Sequence, residues 1–141
     1  KCLASIEAPL IICLGFLEAR FDHSLAAIHA LMCLRHDRPV LLAGDTDVLL
    51  RLTGDVEVAL PLGSRISVWP LGRQSFESSM GLRWPLTGLE MAPGEMIGIS
   101  NEVSDTPVKI AATSGGDGYA LIAPVEAMGA VIAAVTDGVI A

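Results

Sequence analysis

The chain has 141 residues, 52% of them hydrophobic and 18% charged, a balance that excludes disorder and fits one or two small domains burying many of their side chains. Its formal net charge of -7, with seven arginines scattered singly and two lysines, leaves no basic stripe, so neither nucleic acid nor an anionic membrane is an expected partner. Every apolar stretch of about 18 residues is broken by Pro, Asp, Glu or Arg, and the opening residues lack a signal-peptide pattern, so a cytoplasmic protein is expected.

Leu10 to Leu14, an apolar run bounded by Pro9 and Gly15, predicts a central parallel strand covered on both faces. Cys13 within it, like Cys2 and Cys33, has no Cys-x-x-Cys partner, so reduced thiols are expected and not a disulfide framework or zinc. Asp22 stands where an N-cap would, ahead of SLAAIHALMCLRH, in which Leu25, Ile28, Met32 and Arg35 recur at helical spacing and Leu31 widens the apolar side. Val40 to Ala43 follows Pro39 as a second strand, giving a β-α-β unit with a right-handed crossover expected. Asp45 to Asp47 reads as a turn.

From Val48 the pattern changes to short extended runs separated by Gly, Pro, Asp and Ser: Val48–Leu52, Val56–Leu60, Arg65–Leu71, Phe76–Leu86, Met96–Ser100, Val108–Thr113 and Tyr119–Ala123. Their spacing suits a β-sandwich. The fold class expected is therefore an α/β piece over residues 1–53, an all-β, jelly-roll-like sandwich over 54–123, and an apolar tail over 124–141. Ser114 to Gly118, SGGDG, precedes a strand and not a helix, so it reads as a hairpin loop and not a phosphate cradle. After Pro124, Val125, Met128, Val131, Ile132 and Val135 fall on one side of a possible helix, fitted to an intersubunit contact or to irregular core packing.

Two clusters could carry chemistry. Between Gly81 and Asn101 the chain reads strand, turn, strand, which brings Trp84 near Ser100 and Asn101. An indole face there can stack a flat ring while hydroxyl and amide address its edge; the plainer reading is a core tryptophan and a turn. Trp69, the other tryptophan, is assigned to the core or a domain seam. The second cluster is Arg20, Asp22 and His23, at the C-terminal end of the first strand, where open α/β sheets place ligands. Arginine forks suit phosphate oxygens and carboxylates suit magnesium; the plainer reading is a cap, a first-turn histidine and a solvated arginine. No residue reads as a covalent nucleophile, because burial raises the pKa of a thiol such as Cys13.

GLRWPL, a Pro-Gly turn and GISNE, together with GFLEARFDH from Gly15 to His23, resemble the C-terminal portion of the thiamine pyrophosphokinase family. The resemblance implies transfer of diphosphate from ATP to the hydroxyl of thiamine, releasing AMP, with Mg2+ neutralising the phosphates. It assigns Arg20 to the nucleotide phosphates and catalysis and Asp22 to catalysis near the metal. His23 is placed on the nucleotide side without a chemical role. Trp84 would stack the thiamine ring, and Gly98, Ile99, Ser100 and Asn101 would line its edge. Glu18 and Ala19 depart from the family's Gly-Gly, where a negative side chain crowds and repels a nucleotide, and Ala27 stands where asparagine is frequent. Lys-Cys-Leu at the start resembles the residues just after a Thr-Asp motif, so a fragment lacking the earlier acidic motifs is expected, inactive by itself and part of a homodimer. The alternatives are a pterin diphosphokinase of a related family and a non-catalytic ligand-binding β-sandwich.

Overall fold

The computed structural model describes residues 2–17 and 20–136. After a single turn of helix, α1 (Cys2–Ser5), the expected β-α-β unit is present: β1 (Ile11–Leu17), α2 (Phe21–Met32) and β2 (Val40–Gly44). β1 and β2 lie side by side in parallel, Ile11 opposite Val40 and Leu14 opposite Ala43. α2 covers one face of the pair, with Ala27 and Leu31 packed in one cluster with Ile11, Cys13, Val40 and Leu42.

Two expectations are corrected here. The helix starts at Phe21, with Arg20 in extended geometry (φ -87°, ψ 106°) as N-cap; Asp22 is therefore a first-turn acid and not the cap. β1 is not central. Among the described residues it is an edge strand of a six-stranded sheet, with β2 as its neighbour. Among the described residues only the α2 side is covered, and Ile12, Leu14 and Phe16 on the alternate positions are exposed. An apolar run does not distinguish a strand covered on both faces from one covered on a single face.

The remaining strands are β3 (Asp47–Leu52), β4 (Val56–Val58), β5 (Arg65–Pro70), β6 (Gln74–Met80), β7 (Glu90–Met91), β8 (Gly98–Glu102), β9 (Val108–Ala112) and β10 (Tyr119–Pro124). β3 pairs antiparallel with β2 on one side and β10 on the other, so the large sheet is mixed and continuous from the β-α-β unit to β8. A second, antiparallel sheet runs β4-β9-β6-β7. The main core contains Leu50, Ile66, Val68 and Leu121 from the first sheet and Val58, Phe76 and Ile110 from the second. Phe76 meets Tyr119 edge to face at 5.3 Å, an aromatic pair that ties the sheets together. Fully buried Tyr119 donates its hydroxyl to Gly54 O at 2.9 Å, which satisfies the polar end of the ring.

Past β10 the chain makes a 3-10 turn (Val125–Ala127) and then α3 (Met128–Thr136). Val131 is buried in the main core, with Val125, Met128, Ile132 and Val135 packed against it, so the apolar side anticipated for the tail faces the core. Residues 137–141 lie outside the described residues. Among the described residues no helix is long and apolar enough to cross a membrane.

Several strands end short of the expected runs, β4 at Val58 and not Leu60 and β6 at Met80 and not Leu86, and the reason for the second shapes the site. β6 stops at Met80 because Gly81 takes φ 78°, and a Cβ there would sit 2.4 Å from Asp105 O. Gly81 O instead accepts Ser104 N at 2.9 Å. Arg83 to Leu86 consequently form a loop.

Candidate functional site

The loop that carries Trp84 is fixed by side chains in place of a strand ladder. Asn101 on β8, only 7% exposed, accepts Trp84 N at Oδ1 (3.1 Å) and donates from Nδ2 to Trp84 O (2.7 Å). The same Oδ1 accepts Glu102 N at 2.8 Å. Leu86 N donates to Ser79 Oγ at 2.7 Å, and Ser79 N donates to Thr87 Oγ1 at 3.0 Å. Every one of these bonds joins a side chain to a main-chain group. Asn101 and Trp84 are thus brought together as the spacing suggested, through the main chain of the tryptophan. The indole itself is left 54% exposed, an unusual situation for so large an apolar ring.

Arg83 stands over that ring, its guanidinium carbon 5.0 Å from the ring centroid, within range for a cation-π contact. Its Nη1 lies 3.2 Å from Glu102 Oε2, and its main-chain N–H donates to Glu102 O at 2.9 Å. One indole face therefore carries a partly neutralised cation. In the sequence, the signal of the Arg83–Glu102 pair is the basic residue beside the tryptophan in GLRWPL.

β8 beneath the loop is irregular. The register with β5 slips between Ile66 and Val68, and opposite this bulge Ser100 is the one non-glycine with positive φ (58°) among the described residues. Its N–H donates to Ser67 Oγ at 3.0 Å. A left-handed serine costs on the order of 1 kcal/mol or more, and bulges re-aim side chains; both concentrate at binding sites. Gly98 permits close packing, since a Cβ there would lie 3.1 Å from Val68 O and from the Met91 methyl. Ile97 and Ile99 are exposed beside it. Trp69, by contrast, is half-buried against the α2-side core, as assigned.

Arg20 and Asp22 form an exposed pair at the C-terminal end of β1. Arg20 Nη2 lies 2.7 Å and Nε 3.2 Å from the two carboxylate oxygens, and both side chains are about two thirds exposed (67% and 66%). Arg20 holds the Asp22 carboxyl below its ordinary pKa, assisted by main-chain N–H groups and opposed by slight desolvation. His23 is exposed beside them, its N–H donating to Arg20 O at 3.1 Å. Glu18 and Ala19 lie outside the described residues; Ala27 is buried in the core. Among the described residues no three His, Cys, Asp or Glu side chains assemble a metal site, so Asp22 would supply a single ligand, already engaged by Arg20.

A cavity of about 450 Å³ opens at the same end of the parallel pair, walled by Leu17, Ile28, Asp45, Thr46 and Asp47 among others. Asp47 is paired with Arg65. Asp45 to Asp47, expected as a turn, thus also line this cavity; in the sequence their signal is two carboxylates just past the C-terminal end of a parallel strand.

The two clusters are not brought together within one chain. β1, which leads to Arg20, and β8, which carries Ser100 and Asn101, are opposite edges of the six-stranded sheet. Five inter-strand steps separate them by about 24 Å.

Residues 55–115 match the family model described as thiamin pyrophosphokinase, vitamin B1 binding domain, and this segment contains Trp84 and Asn101. Over 109 residues the chain is 34% identical to thiamine pyrophosphokinase 1 of Oryza sativa subsp. japonica, covering 74% of this chain and 41% of that protein. It is 29% identical over 120 residues to thiamin pyrophosphokinase 1 of Caenorhabditis elegans, covering 81% and 49%. The chain thus spans about half the length, or less, of these curated relatives. Among solved structures, thiamine pyrophosphokinase from Bacillus subtilis superposes with a TM-score of 0.69 at 20% identity, covering 83% of this chain and 56% of that one. The yeast thiamin pyrophosphokinase gives 0.65 at 16%, covering 83% and 41%. Residues 55–115 thus match the vitamin B1 binding domain of the thiamin pyrophosphokinases, the chain is similar in sequence to members of that family over most of its length, and it shares their fold.

Proposed function

We propose that the full-length protein transfers diphosphate from ATP to thiamine, giving thiamine diphosphate and AMP. The observation that carries this is an exposed indole, Trp84, locked in place by buried Asn101 inside the segment that matches a vitamin B1 binding domain. Thiazolium is cationic and the indole face is negative, so the free face of Trp84 suits it, with Gly98 to Asn101 along the ring edge. In the reaction the thiamine hydroxyl oxygen bonds to the β-phosphorus of ATP. The bond from that phosphorus to the oxygen bridging to the α-phosphorus breaks, AMP leaves with the electron pair, and the hydroxyl proton passes to solvent. The chain's own work is positioning. Arg20 binds phosphate oxygens, exchanging Asp22 for a more highly charged partner, and His23 borders that side. Mg2+ would neutralise phosphate charge, but the described carboxylates do not by themselves build its site, and no step is assigned through it.

On this reading residues 1–53 belong to an α/β catalytic domain and residues 54–123 to a jelly-roll-like ring-binding sandwich, in a cytoplasmic homodimer. The placement of Arg20 and Asn101 at opposite sheet edges supports the dimer, because a second copy can set its Trp84 face against the Arg20 loop of the first. Incubating the full-length protein with ATP and thiamine and separating products by chromatography tests the proposal. Equal amounts of AMP and thiamine diphosphate are expected. Thiamine binding without AMP would replace the enzyme with a binding module, and absence of both would reject the reading.

A further inference from the structure

All three buried side-chain nitrogens that lack a hydrogen-bond partner among the described residues, His36 Nδ1, Arg38 Nε and Arg51 Nε, fall where the loop after α2 meets β3. Arg51, 3% exposed, is the central one. Val40, the first residue of β2, is its partner in the sheet, so Arg51 sits at the N-terminal end of the parallel pair, opposite the end that carries Arg20. Its terminal nitrogens reach only neutral acceptors, Arg38 O and Leu34 O, each at 3.3 Å. No carboxylate lies within ion-pair distance of it among the described residues. Burial pulls its pKa below the ordinary guanidinium value, and Asp37 acts at longer range in the other direction.

A guanidinium buried with neutral partners and an idle N–H is costly unless an anion completes it. Space for one is present: Arg51 helps wall a cavity of about 390 Å³ together with Arg35, Asp37, Thr53, Gly116 and Asp117. The lining carries both signs, and burial decides between them. Asp37 and Asp117 are exposed and screened by water and salt, and Asp117 already accepts Arg73 N at 2.7 Å. The charge of Arg51 is not screened in this way. Arg35 is exposed at the rim, where it can close over a ligand held by Arg51.

We propose that this cavity binds a small oxyanion of the phosphate class, at a site separate from the Arg20 loop. Guanidinium forks match tetrahedral phosphate oxygens, and the Thr53 hydroxyl adds a further donor. The test is differential scanning calorimetry of the full chain in sodium phosphate against sodium chloride of equal ionic strength, with isothermal titration of phosphate. A saturable rise in Tm of roughly 5 °C is expected at ten times the dissociation constant. Arg35→Ala should leave the Tm without phosphate unchanged and weaken phosphate binding about tenfold, whereas Arg20→Ala should leave phosphate binding intact. Arg51→Gln should abolish it; should that variant fail to fold, Arg35→Ala still decides. Acetate should give no saturable shift. The proposal is overturned by a wild-type Tm indifferent to phosphate, by equal binding in Arg35→Ala, by loss of binding in Arg20→Ala, or by an acetate effect as large as that of phosphate.

Discussion

Replacing Asn101 by alanine tests whether the clamp on Trp84 is what builds the ring site. The substitution removes three hydrogen bonds, from Trp84 N, to Trp84 O and from Glu102 N, at a position only 7% exposed. At about 1 kcal/mol net for each bond, with partial rescue by water at the loop surface, the folded state should lose about 2–3 kcal/mol. That is tolerable for a domain of ordinary stability, about 5–15 kcal/mol. Denaturant unfolding of the full-length protein reads this directly, and the midpoint should fall at unchanged slope. On the proposed function Asn101 serves binding by holding Trp84, so thiamine affinity measured by calorimetry should fall in Asn101→Ala, in Trp84→Ala and in the double variant to nearly the same level. Such non-additivity is the signature of residues that act as one unit. Asn101→Asp is the control of shape: it keeps the acceptor but turns a carboxylate oxygen toward Trp84 O, and should destabilise at least as much as alanine. Stability within 0.5 kcal/mol of wild type, or additive losses in thiamine affinity, would refute the clamp.

Trp84→Ala alone should weaken thiamine binding by about 1–2 kcal/mol, the scale of one stacking and cation contact, and calorimetry on the folded variant checks it. Arg20→Ala should leave the melting temperature within the small range of surface changes while ATP binding falls; a large stability loss with intact nucleotide binding would make the arginine a structural pin. The same variant should let the Asp22 carboxyl rise toward its ordinary pKa near 4, followed by NMR titration. The sign follows from the lowered value in the folded chain: the Asp22 contribution to stability is present above its unfolded pKa and lost as pH falls through the folded one, so Arg20→Ala flattens that acid limb. Gln74 is fully buried and binds Ser75 O, Thr113 O and Gly118 N, so Gln74→Leu should cost about 3 kcal/mol by leaving those groups unpaired; a loss under about 1 kcal/mol in denaturant unfolding would mean water replaces the amide. Light scattering should give twice the chain mass for the full-length protein, and a monodisperse monomer would reject the dimer.

Local periodicity was enough for much of the scaffold. The apolar runs at Ile11, Val40, Val48, Val108 and Tyr119 are strands, and the helical spacing after Asp22 is a helix, though one that ends at Met32, before Arg35, and buries Ala27 and Leu31 while Leu25 and Met32 of the expected apolar side stay exposed. GLRWPL and GISNE likewise pointed to the segment that matches a vitamin B1 binding domain and to the contact between Trp84 and Asn101. What the letters could not decide is which elements become neighbours. Leu10 to Leu14 reads the same whether central or at an edge, and only the strand order left Ile12, Leu14 and Phe16 exposed. Trp84 left its strand because Gly81 turned the backbone and Asn101, 17 residues away, took over its main-chain bonds. The separation of Arg20 from Asn101 and the burial of Arg51 also arise from contacts distant in sequence. Periodicity fixes which face of a segment is apolar; partners, burial and charge compensation are properties of the packed whole.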